Sequence, residues 1–170
     1  MKKSRFHVAL LVLALTLGLA GTAAADYTWY SYGGHEYAET SNGLATWTEA
    51  EAEAVGLGGH LVTINDAAEN TWVNNTFWQG AFQKWIGFHL VGETWVWTSG
   101  EPVTYTNWGT GSPIYEYAEI NSENGLWGTL PDWPVQNGII ERSAPVPLPS
   151  ALLLLGSGLA GLAAWRRRRG

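Results

Sequence analysis

The sequence predicts an α+β domain over residues 26–142 of a 170-residue chain. Two stretches with helical spacing of apolar residues lie early in this domain, short strand-like stretches begin and end it, and its second half is rich in Gly and Pro turns. This order is typical of an α+β domain whose termini lie together. The chain contains no cysteine, so no disulfide can stabilise the domain.

Local turn and capping patterns indicate the first elements. Aromatic residues alternate with small ones over residues 28–37, around a Gly-Gly turn, as in a β-hairpin. Thr46 and Glu49 have the spacing of a capping box, and the apolar positions that follow recur at helical spacing until Gly58. A hairpin and then a helix are therefore expected.

A second helix and several short strands are expected after that. A strand is predicted at residues 60–64, and Asp66 indicates the start of a helix whose apolar side carries Trp72, Val73 and Phe77. Short aromatic strands alternate with turns from Trp85 to Trp108, a loop covers residues 109–113, and final strands are expected at residues 117–121, 126–128 and 138–142.

Charge is distributed very unevenly along the chain. All fifteen Asp and Glu lie within residues 26–142, where Lys84 and Arg142 are the only cationic Lys or Arg, so this stretch has a formal charge of −13. Nucleic-acid binding needs clustered Lys and Arg to neutralise phosphates, which this stretch lacks. We therefore expect no nucleic-acid partner and favour cations or neutral ligands.

Residues 1–25 have the features of a secretory signal peptide. A basic start is followed by a twelve-residue, largely apolar run at positions 8–19 and by three small residues before Asp26. Twelve residues at about 1.5 Å each are too short for a hydrocarbon core of about 30 Å, which argues against a retained membrane anchor. We expect the segment to be removed and the domain to be exported.

At the C-terminal end, the apolar segment comes before the basic residues, the reverse of the order at the N-terminal end. Residues 143–150 form a Pro-rich spacer, residues 151–165 are apolar, and an arginine cluster occupies residues 166–170. Because arginines tend to stay cytoplasmic, the apolar segment is predicted to be a short transmembrane helix with the domain outside. Its three glycines weaken the helix, which suits a segment that is recognised and processed. A plain tail anchor is the alternative.

This terminus resembles the PEP-CTERM sorting signal, with Leu148 in the place of that signal's Glu. The matching residues are Val146, Pro147, Leu148, Pro149, Arg166, Arg167, Arg168 and Arg169. The resemblance implies a Gram-negative bacterium and recognition by a membrane protease called exosortase. It also implies a precursor anchored in the inner membrane, which is then released to the cell surface or an exopolysaccharide matrix.

Motifs in the domain resemble those of the C-type lectin-like domain in their order. They are Trp47-x-x-Ala50, Gly59-His60-Leu61, Trp85-Ile86-Gly87, Trp97-Thr98-Ser99-Gly100-Glu101-Pro102 and Asn124-Gly125-Leu126-Trp127. The resemblance implies two helices, short antiparallel sheets and a loop-rich second half. Where the family usually has two disulfides, this chain has Ala54 with Ile140 and Ala118 with Asp132. Apolar contact can replace the first pair but not the second, so the loop around Asp132 is expected to be looser.

Sugar-binding members of that family hold calcium with a Glu-Pro-Asn or Gln-Pro-Asp loop, a following Glu, and an Asn-Asp pair after a Trp. Here the loop reads Ser112-Pro113-Ile114 and the pair reads Gly128-Thr129, so Glu116 is the one carboxylate that remains. Calcium needs six to eight oxygen ligands, so we expect no cofactor and regard Glu116 as a weak calcium candidate in a degraded site. Other loop carboxylates could hold a calcium elsewhere or only keep the surface soluble. These are Glu93, Glu101, Glu119, Glu123 and Asp132.

Candidate ligand-binding residues lie near the same loops. Trp133 has no obvious family counterpart and, with Tyr115, could present an aromatic face on which a sugar ring stacks. Glu116 and Asn107 complete the candidate set. Other tryptophans match core positions of the family and are expected to be buried, namely Trp47, Trp85, Trp97, Trp108 and Trp127.

These observations favour an exported, non-enzymatic binding module for carbohydrate or another surface macromolecule. No catalytic residue is indicated, because no motif of an activated nucleophile is present and the histidines show no metal spacing. The alternative is a structural matrix protein with a lectin-like fold that binds proteins and no sugar, which the degraded calcium loop favours. An enzyme on a related fold is the third hypothesis.

Overall fold

The computed structural model describes residues 27–41, 43–78, 83–121, 123–134 and 136–145. Its helices are α1 (Trp47–Gly56) and α2 (Ala67–Phe77), and its strands are β1 (Tyr30–Tyr32), β2 (His35–Glu39), β3 (His60–Leu61), β4 (Lys84–Val91), β5 (Thr94–Trp97), β6 (Tyr117–Ile120), β7 (Trp127–Leu130) and β8 (Ile139–Ser143). Neither helix is long and apolar enough to cross a membrane. The signal peptide, the transmembrane helix and the sorting residues from Val146 to Arg169 that the sequence predicts lie outside the described residues.

Each predicted helix begins at its predicted cap. The Thr46 hydroxyl accepts the N–H of Glu49 while the Glu49 carboxylate accepts the N–H of Thr46, which completes the capping box. Gly58 follows α1 with a φ of +80°, a conformation that glycine adopts without strain, and the chain turns there. Asp66 caps α2 by accepting the N–H of Glu69.

One sheet joins the two ends of the domain. Its strand order is β1-β2-β8-β3 and all its neighbours are antiparallel, with Tyr37 opposite Glu141 and Leu61 opposite Ile140. The first strands therefore pair with the last one, which confirms the α+β fold with its termini together. The predicted strand at residues 60–64 is shorter than expected, because it pairs with β8 over two residues only.

The second sheet has the order β5-β4-β6-β7 and carries the long loop of the domain. Lys84 pairs with Ile120 at one end of the β4–β6 ladder, and His89 pairs with Tyr117 at the other. The prediction of strands continuing to Trp108 is wrong, since residues 98–116 make only an isolated bridge there, between Trp108 and Trp127. The second half is loop-rich, as expected.

Aromatic side chains fill the core between the sheets and helices. Trp97 and Trp127 meet edge-on with ring centroids 5.5 Å apart, and Phe88 lies 4.4 Å from Trp97. Trp47, Trp85, Trp97 and Trp127 are buried, and Trp108 is partly buried against the same cluster. Burial of such large rings supplies the hydrophobic stabilisation that this cysteine-free domain requires.

The positions of the family's two disulfides are filled in different ways. Ala54, Ile140 and Ala118 are fully buried, so apolar packing replaces sulfur at three of the four places. Asp132 is exposed, and its carboxylate hydrogen-bonds to Thr48 in the first turn of α1. The loop that was expected to be looser is thus fastened to a helix by a polar contact.

The chain before β1 is also held against the body of the domain. The guanidinium carbon of Arg142 on β8 lies 3.6 Å from the centre of the Trp29 ring, a cation–π contact. Arg142 also forms an ion pair with Glu36 at 2.8 Å. The Tyr27 hydroxyl donates to Glu53 on α1 at 2.9 Å. The segment before β1 is therefore tied to β8 and α1.

Candidate ligand-binding site

A threonine holds the loop that carries two of the candidate residues, Tyr115 and Glu116. The Thr129 hydroxyl on β7 is buried and accepts the backbone N–H groups of Ile114 and Tyr115, at 2.9 and 3.0 Å. The loop reaches this position through a cis peptide bond between Ser112 and Pro113. A neutral hydroxyl group thus fixes the loop to the sheet at one of the two positions that replace the calcium pair.

At the other replaced position, the Glu119 carboxylate occupies the space that a side chain would need. Gly128 lies opposite Glu119 on β6, and a Cβ atom on Gly128 would lie 2.6 Å from Glu119 Oε1. Burial raises the pKa of Glu119 to about 7, and the neighbouring Gln136 side chain lowers it by less. Glu119 Oε2 and Gln136 Nε2 are both buried without a hydrogen bond of good geometry. The carboxylate of Glu119 therefore lies inside the sheet and not on the loop surface.

The two candidate aromatic residues lie on fastened loops and face solvent. Trp133 is 57% exposed and Tyr115 is 43% exposed. The Tyr115 N–H donates to Thr129 on β7, and Trp133 follows the end of β7 by three residues. The Trp133 N–H donates to Pro131 O at 2.7 Å, a tight turn next to the anchored Asp132. The structure thus presents one ring on a loop that is held against β7 and the other ring on the loop that follows β7.

The remaining two candidates have different surroundings. The Glu116 side chain is exposed, and its backbone carbonyl accepts the N–H of Leu90. Asn107 Nδ2 donates to Gly125 O at 2.8 Å, and Asn107 O accepts the N–H of Trp127. Asn107 therefore holds the start of β7, while Tyr115 and Glu116 belong to the loop that Thr129 fixes.

The other loop carboxylates do not converge. Glu101 accepts a hydrogen bond from Asn65 Nδ2 at 2.8 Å, Asp132 is bound to Thr48, and Glu93 and Glu123 are exposed. Among the described residues, no group of three or more His, Asp or Glu side chains could hold a metal ion.

A buried polar cluster lies behind the first sheet. The Tyr37 hydroxyl donates to Glu69 Oε1 at 2.9 Å and also contacts Glu141 Oε1 at 3.4 Å. His35 Nδ1 lies 2.7 Å from the same Glu141 oxygen, and Thr63 N–H donates to Glu141 Oε2. Burial raises the pKa of Glu141, and the Thr63 hydrogen bond and the histidines oppose that shift. Burial and the two carboxylates raise the pKa of Tyr37. This cluster connects β2, β8 and α2 by polar contacts.

Sequence reasoning missed Thr129 and the contact between Asp132 and Thr48. The signal for Thr129 was present, because a hydroxyl residue stands at a calcium position of the family, but the two amides that it binds lie 14 and 15 residues away. The partner of Asp132 is 84 residues away in the sequence. Such partners become visible only when the sheets are assembled.

Comparisons with known proteins agree with this architecture. The family model of the lectin C-type domain matches residues 44–132, and the model of the PEP-CTERM protein-sorting motif matches residues 145–169. Asialoglycoprotein receptor 2 of Rattus norvegicus is 32% identical over 138 residues, which cover 71% of this chain and 44% of the receptor. The versican core protein of Homo sapiens is 30% identical over 115 residues, 62% of this chain and 3% of that protein. The 30 kDa spicule matrix protein alpha of Strongylocentrotus purpuratus is 35% identical over 105 residues, 49% of this chain and 34% of that protein.

Solved structures share the fold. Human lithostathine superposes with a TM-score of 0.63 at 23% identity, covering 68% of this chain and 97% of that one. A calcium-independent type II antifreeze protein superposes with a TM-score of 0.62 at 24% identity, which covers 72% of this chain and 99% of that one. The carbohydrate-recognition domain of the mouse scavenger receptor C-type lectin superposes with a TM-score of 0.63 at 24% identity, which covers 71% of this chain and 97% of that one. The chain spans less than half of each curated relative above, and it belongs to the C-type lectin domain family, with a PEP-CTERM sorting motif after the domain.

Proposed function

We propose that this chain is an exported, non-enzymatic binding module that recognises carbohydrate through Trp133 and Tyr115, at the cell surface or in an exopolysaccharide matrix. The observation that carries the proposal is the pair of solvent-facing aromatic rings on loops that Thr129 and Asp132 fasten. Aromatic faces bind the apolar faces of sugar rings. Loops that are already ordered lose little conformational entropy when a ligand binds.

Binding is proposed to be independent of calcium. The Thr129 hydroxyl is engaged in fixing the loop, and Gly128 has no side chain that could bind an ion. Glu116 is the one carboxylate left at the family's site. A calcium-independent antifreeze protein among the structural neighbours supports the view that this fold keeps its loops without the ion. Lectin C-type domains are generally non-enzymatic, which agrees with a binding role.

A binding assay on polysaccharide tests this function. The chain is applied to exopolysaccharide of the native organism, with and without a calcium chelator, and compared with Trp133→Ala and Glu116→Gln. Trp78→Ala is a matched control, because Trp78 is 55% exposed at the end of α2 and lies outside the proposed site. We expect binding that survives chelation and is weakened by Trp133→Ala but not by Glu116→Gln or Trp78→Ala. Binding that chelation or Glu116→Gln removes would contradict the proposal and point to a calcium site.

The ends of the chain are proposed to direct its export and sorting. Residues 1–25 would be removed as a signal peptide, residues 143–150 would serve as spacer, residues 151–165 would anchor the precursor in the inner membrane, and residues 166–170 would stay cytoplasmic. The match to the PEP-CTERM motif supports processing by exosortase. Mass spectrometry of the mature protein should then find a C-terminus within residues 147–150, and deletion of the exosortase should trap the precursor. Surface material that keeps Arg166 to Arg169 would contradict this.

A structural matrix role through protein contacts is the second candidate function. Ile114 is 72% exposed next to Tyr115, and an apolar side chain so placed fits a protein surface better than a sugar hydroxyl. The relatives that match part of this chain include a spicule matrix protein, which agrees with such a role. A chain that binds no polysaccharide but is retained on surface proteins, with the retention lost in Ile114→Ser, would favour this function.

A further inference from the structure

A second concave site lies at the other end of the domain. It is a cleft of about 320 Å³ between the first strands, the last turn of α2 and the start of β4, and its lining includes Tyr27, Tyr30, Glu39, Thr76, Phe77 and Lys84. A volume of a few hundred Å³ is at the small end of the range for small-molecule sites. The cleft therefore has the size for one sugar unit.

The register of β4 separates this cleft from the loop site. Lys84 lies opposite Ile120, whereas His89 lies opposite Tyr117, which directly follows the candidate Glu116. Five residues of strand span about 16 Å at ~3.3 Å per residue. The cleft and the Tyr115 loop consequently lie at opposite ends of the β4–β6 ladder and share no residue.

Aromatic packing gives the cleft a rigid wall. Tyr30 is 37% exposed, and its ring meets Phe77 edge-on with the centroids 5.5 Å apart and the planes at 85°. Phe77 is itself buried in the main core. Because the Tyr30 ring rests on a core residue, it offers a pre-positioned aromatic surface at small entropic cost.

Opposite charges give the cleft adjacent hydrogen-bond donors and acceptors. Lys84 is only 9% exposed, and its Nζ donates to Glu39 Oε2 at 3.0 Å. Glu39 Oε2 also lies 3.3 Å from Asn137 Nδ2. An ammonium group has three protons to donate, and the described contacts use one of them. A carboxylate beside an ammonium group matches two neighbouring sugar hydroxyls, since each hydroxyl both donates and accepts.

The charges also select against ionic ligands. Residues 26–142 carry a formal charge of −13, which repels anions at long range, and the Lys84–Glu39 ion pair in the cleft has no net charge to attract a cation. We infer that this cleft is a second saccharide site, which binds one neutral pyranose unit of a polysaccharide without a metal ion. The inference goes beyond the proposed loop site and does not rest on it.

Lysine labelling gives a direct test of the cleft. The chain has only three lysines, Lys2, Lys3 and Lys84, so ¹⁵N-lysine labelling of the full chain yields three backbone NMR signals. The signal that is missing from the Lys84→Arg variant is that of Lys84. The probes are neutral oligosaccharides from dextran, a β-glucan and a galactomannan, with oligogalacturonate as the anionic control, in a detergent whose head group is not a sugar. We expect the Lys84 signal to shift saturably with a neutral probe while the Lys2 and Lys3 signals stay. No shift of Lys84 with any neutral probe, or a shift with oligogalacturonate alone, would overturn the inference.

Filling the cleft tests the same site without removing its hydrogen bonds. Thr76→Phe adds a ring to the cleft wall and should weaken binding of the responsive probe by roughly tenfold or more. Thr71→Phe is the control, because Thr71 lies on the same helix and is exposed away from the cleft lining. Trp133→Ala should leave the Lys84 response unchanged, which separates this inference from the loop site. Wild-type affinity in a folded Thr76→Phe variant, or loss of the Lys84 response in Trp133→Ala, would assign the binding elsewhere and overturn the inference.

Discussion

The Asp132 carboxylate accepts two hydrogen bonds from Thr48, one from the backbone N–H at 3.1 Å and one from the hydroxyl at 2.7 Å. Thr48 is the second residue of α1, so its N–H is one of the groups that a helix cannot satisfy internally. Asp132 therefore caps α1 from a distant loop. A negative charge near the N-terminus of a helix is also favourable to the helix dipole. At this position one polar contact takes the place of a covalent link.

Removing that contact should cost stability and free the Trp133 loop. Asp132→Ala should lower the free energy of unfolding by about 1 kcal/mol, the usual value of a helix cap. Urea unfolding measures the change. Asp132→Asn is the control, because its amide oxygen can still accept from the helix and should preserve most of the stability. A variant with alanine that is as stable as wild type would show that the contact contributes nothing.

The Thr129 hydroxyl should be required to order the Tyr115 loop. Thr129→Val keeps the shape of the side chain but leaves the N–H groups of Ile114 and Tyr115 without their acceptor, which should cost about 1–3 kcal/mol. Amide hydrogen exchange should accelerate at Ile114 and Tyr115 more than in the strands. Thr129→Ser retains the oxygen and should exchange like wild type. Unchanged protection in the valine variant would contradict the role of the hydroxyl.

Glu119 should make the domain less stable as the pH rises. Burial raises its pKa in the folded state to about 7 from an ordinary value of 4.5, so the folded state binds the proton more tightly than the unfolded chain. This stabilising contribution is complete below about pH 4.5 and is lost as the pH passes through 7, by roughly 3 kcal/mol in total.

Glu119→Gln isolates this effect from the other acids. Glutamine has nearly the same shape but does not titrate, so the unfolding free energy of the variant should depend less on pH between about 4.5 and 7 than that of wild type. Above that range the variant should be the more stable protein. Urea unfolding at several pH values measures both curves, and parallel curves would show that Glu119 does not titrate in this range.

The Tyr37 hydroxyl should hold two buried carboxylates together. Tyr37→Phe removes the contact to Glu141 and the proton donor to Glu69, which leaves the buried Glu69 Oε1 without its partner and should cost about 1–3 kcal/mol. Tyr32→Phe on the neighbouring strand is the control, because the Tyr32 ring stacks on Trp72 at 4.7 Å and phenylalanine keeps that stacking. Thermal unfolding measures the stability of both variants. Equal losses of stability would show that the buried hydrogen bonds of Tyr37 contribute no more than an ordinary tyrosine hydroxyl.

Local signals predicted most of the elements correctly. The capping box at Thr46, the cap at Asp66 and the hairpin at residues 33–34 lie within a few residues of the atoms that they organise, so the sequence shows them directly. The ends of the strands were predicted less accurately. Trp108 has strand-like neighbours but forms only a single bridge, to Trp127 at the start of β7.

The candidate sites depended on contacts that no local pattern contains. The exposure of Trp133 could be inferred from its unusual loop, whereas the engagement of Asn107 with Gly125 depends on how two loops meet. The cleft near Lys84 is assembled from β1, β2, α2 and β4. A lone lysine in an acidic stretch was visible in the sequence, but its proximity to Tyr30 and Glu39 was not.

The position of β8 inside its sheet would have a mechanical consequence for the proposed precursor, whose tail is its anchor. The strand is paired with β2 over five residues on one side and with β3 over two residues on the other, and the tail continues directly from Ser143. Drag on a tethered domain would enter the fold along this strand. Load applied along a strand strains its hydrogen bonds in parallel, in shear, instead of peeling them apart one at a time. A pull on such an anchor would therefore load the β2–β8 and β3–β8 hydrogen bonds in shear.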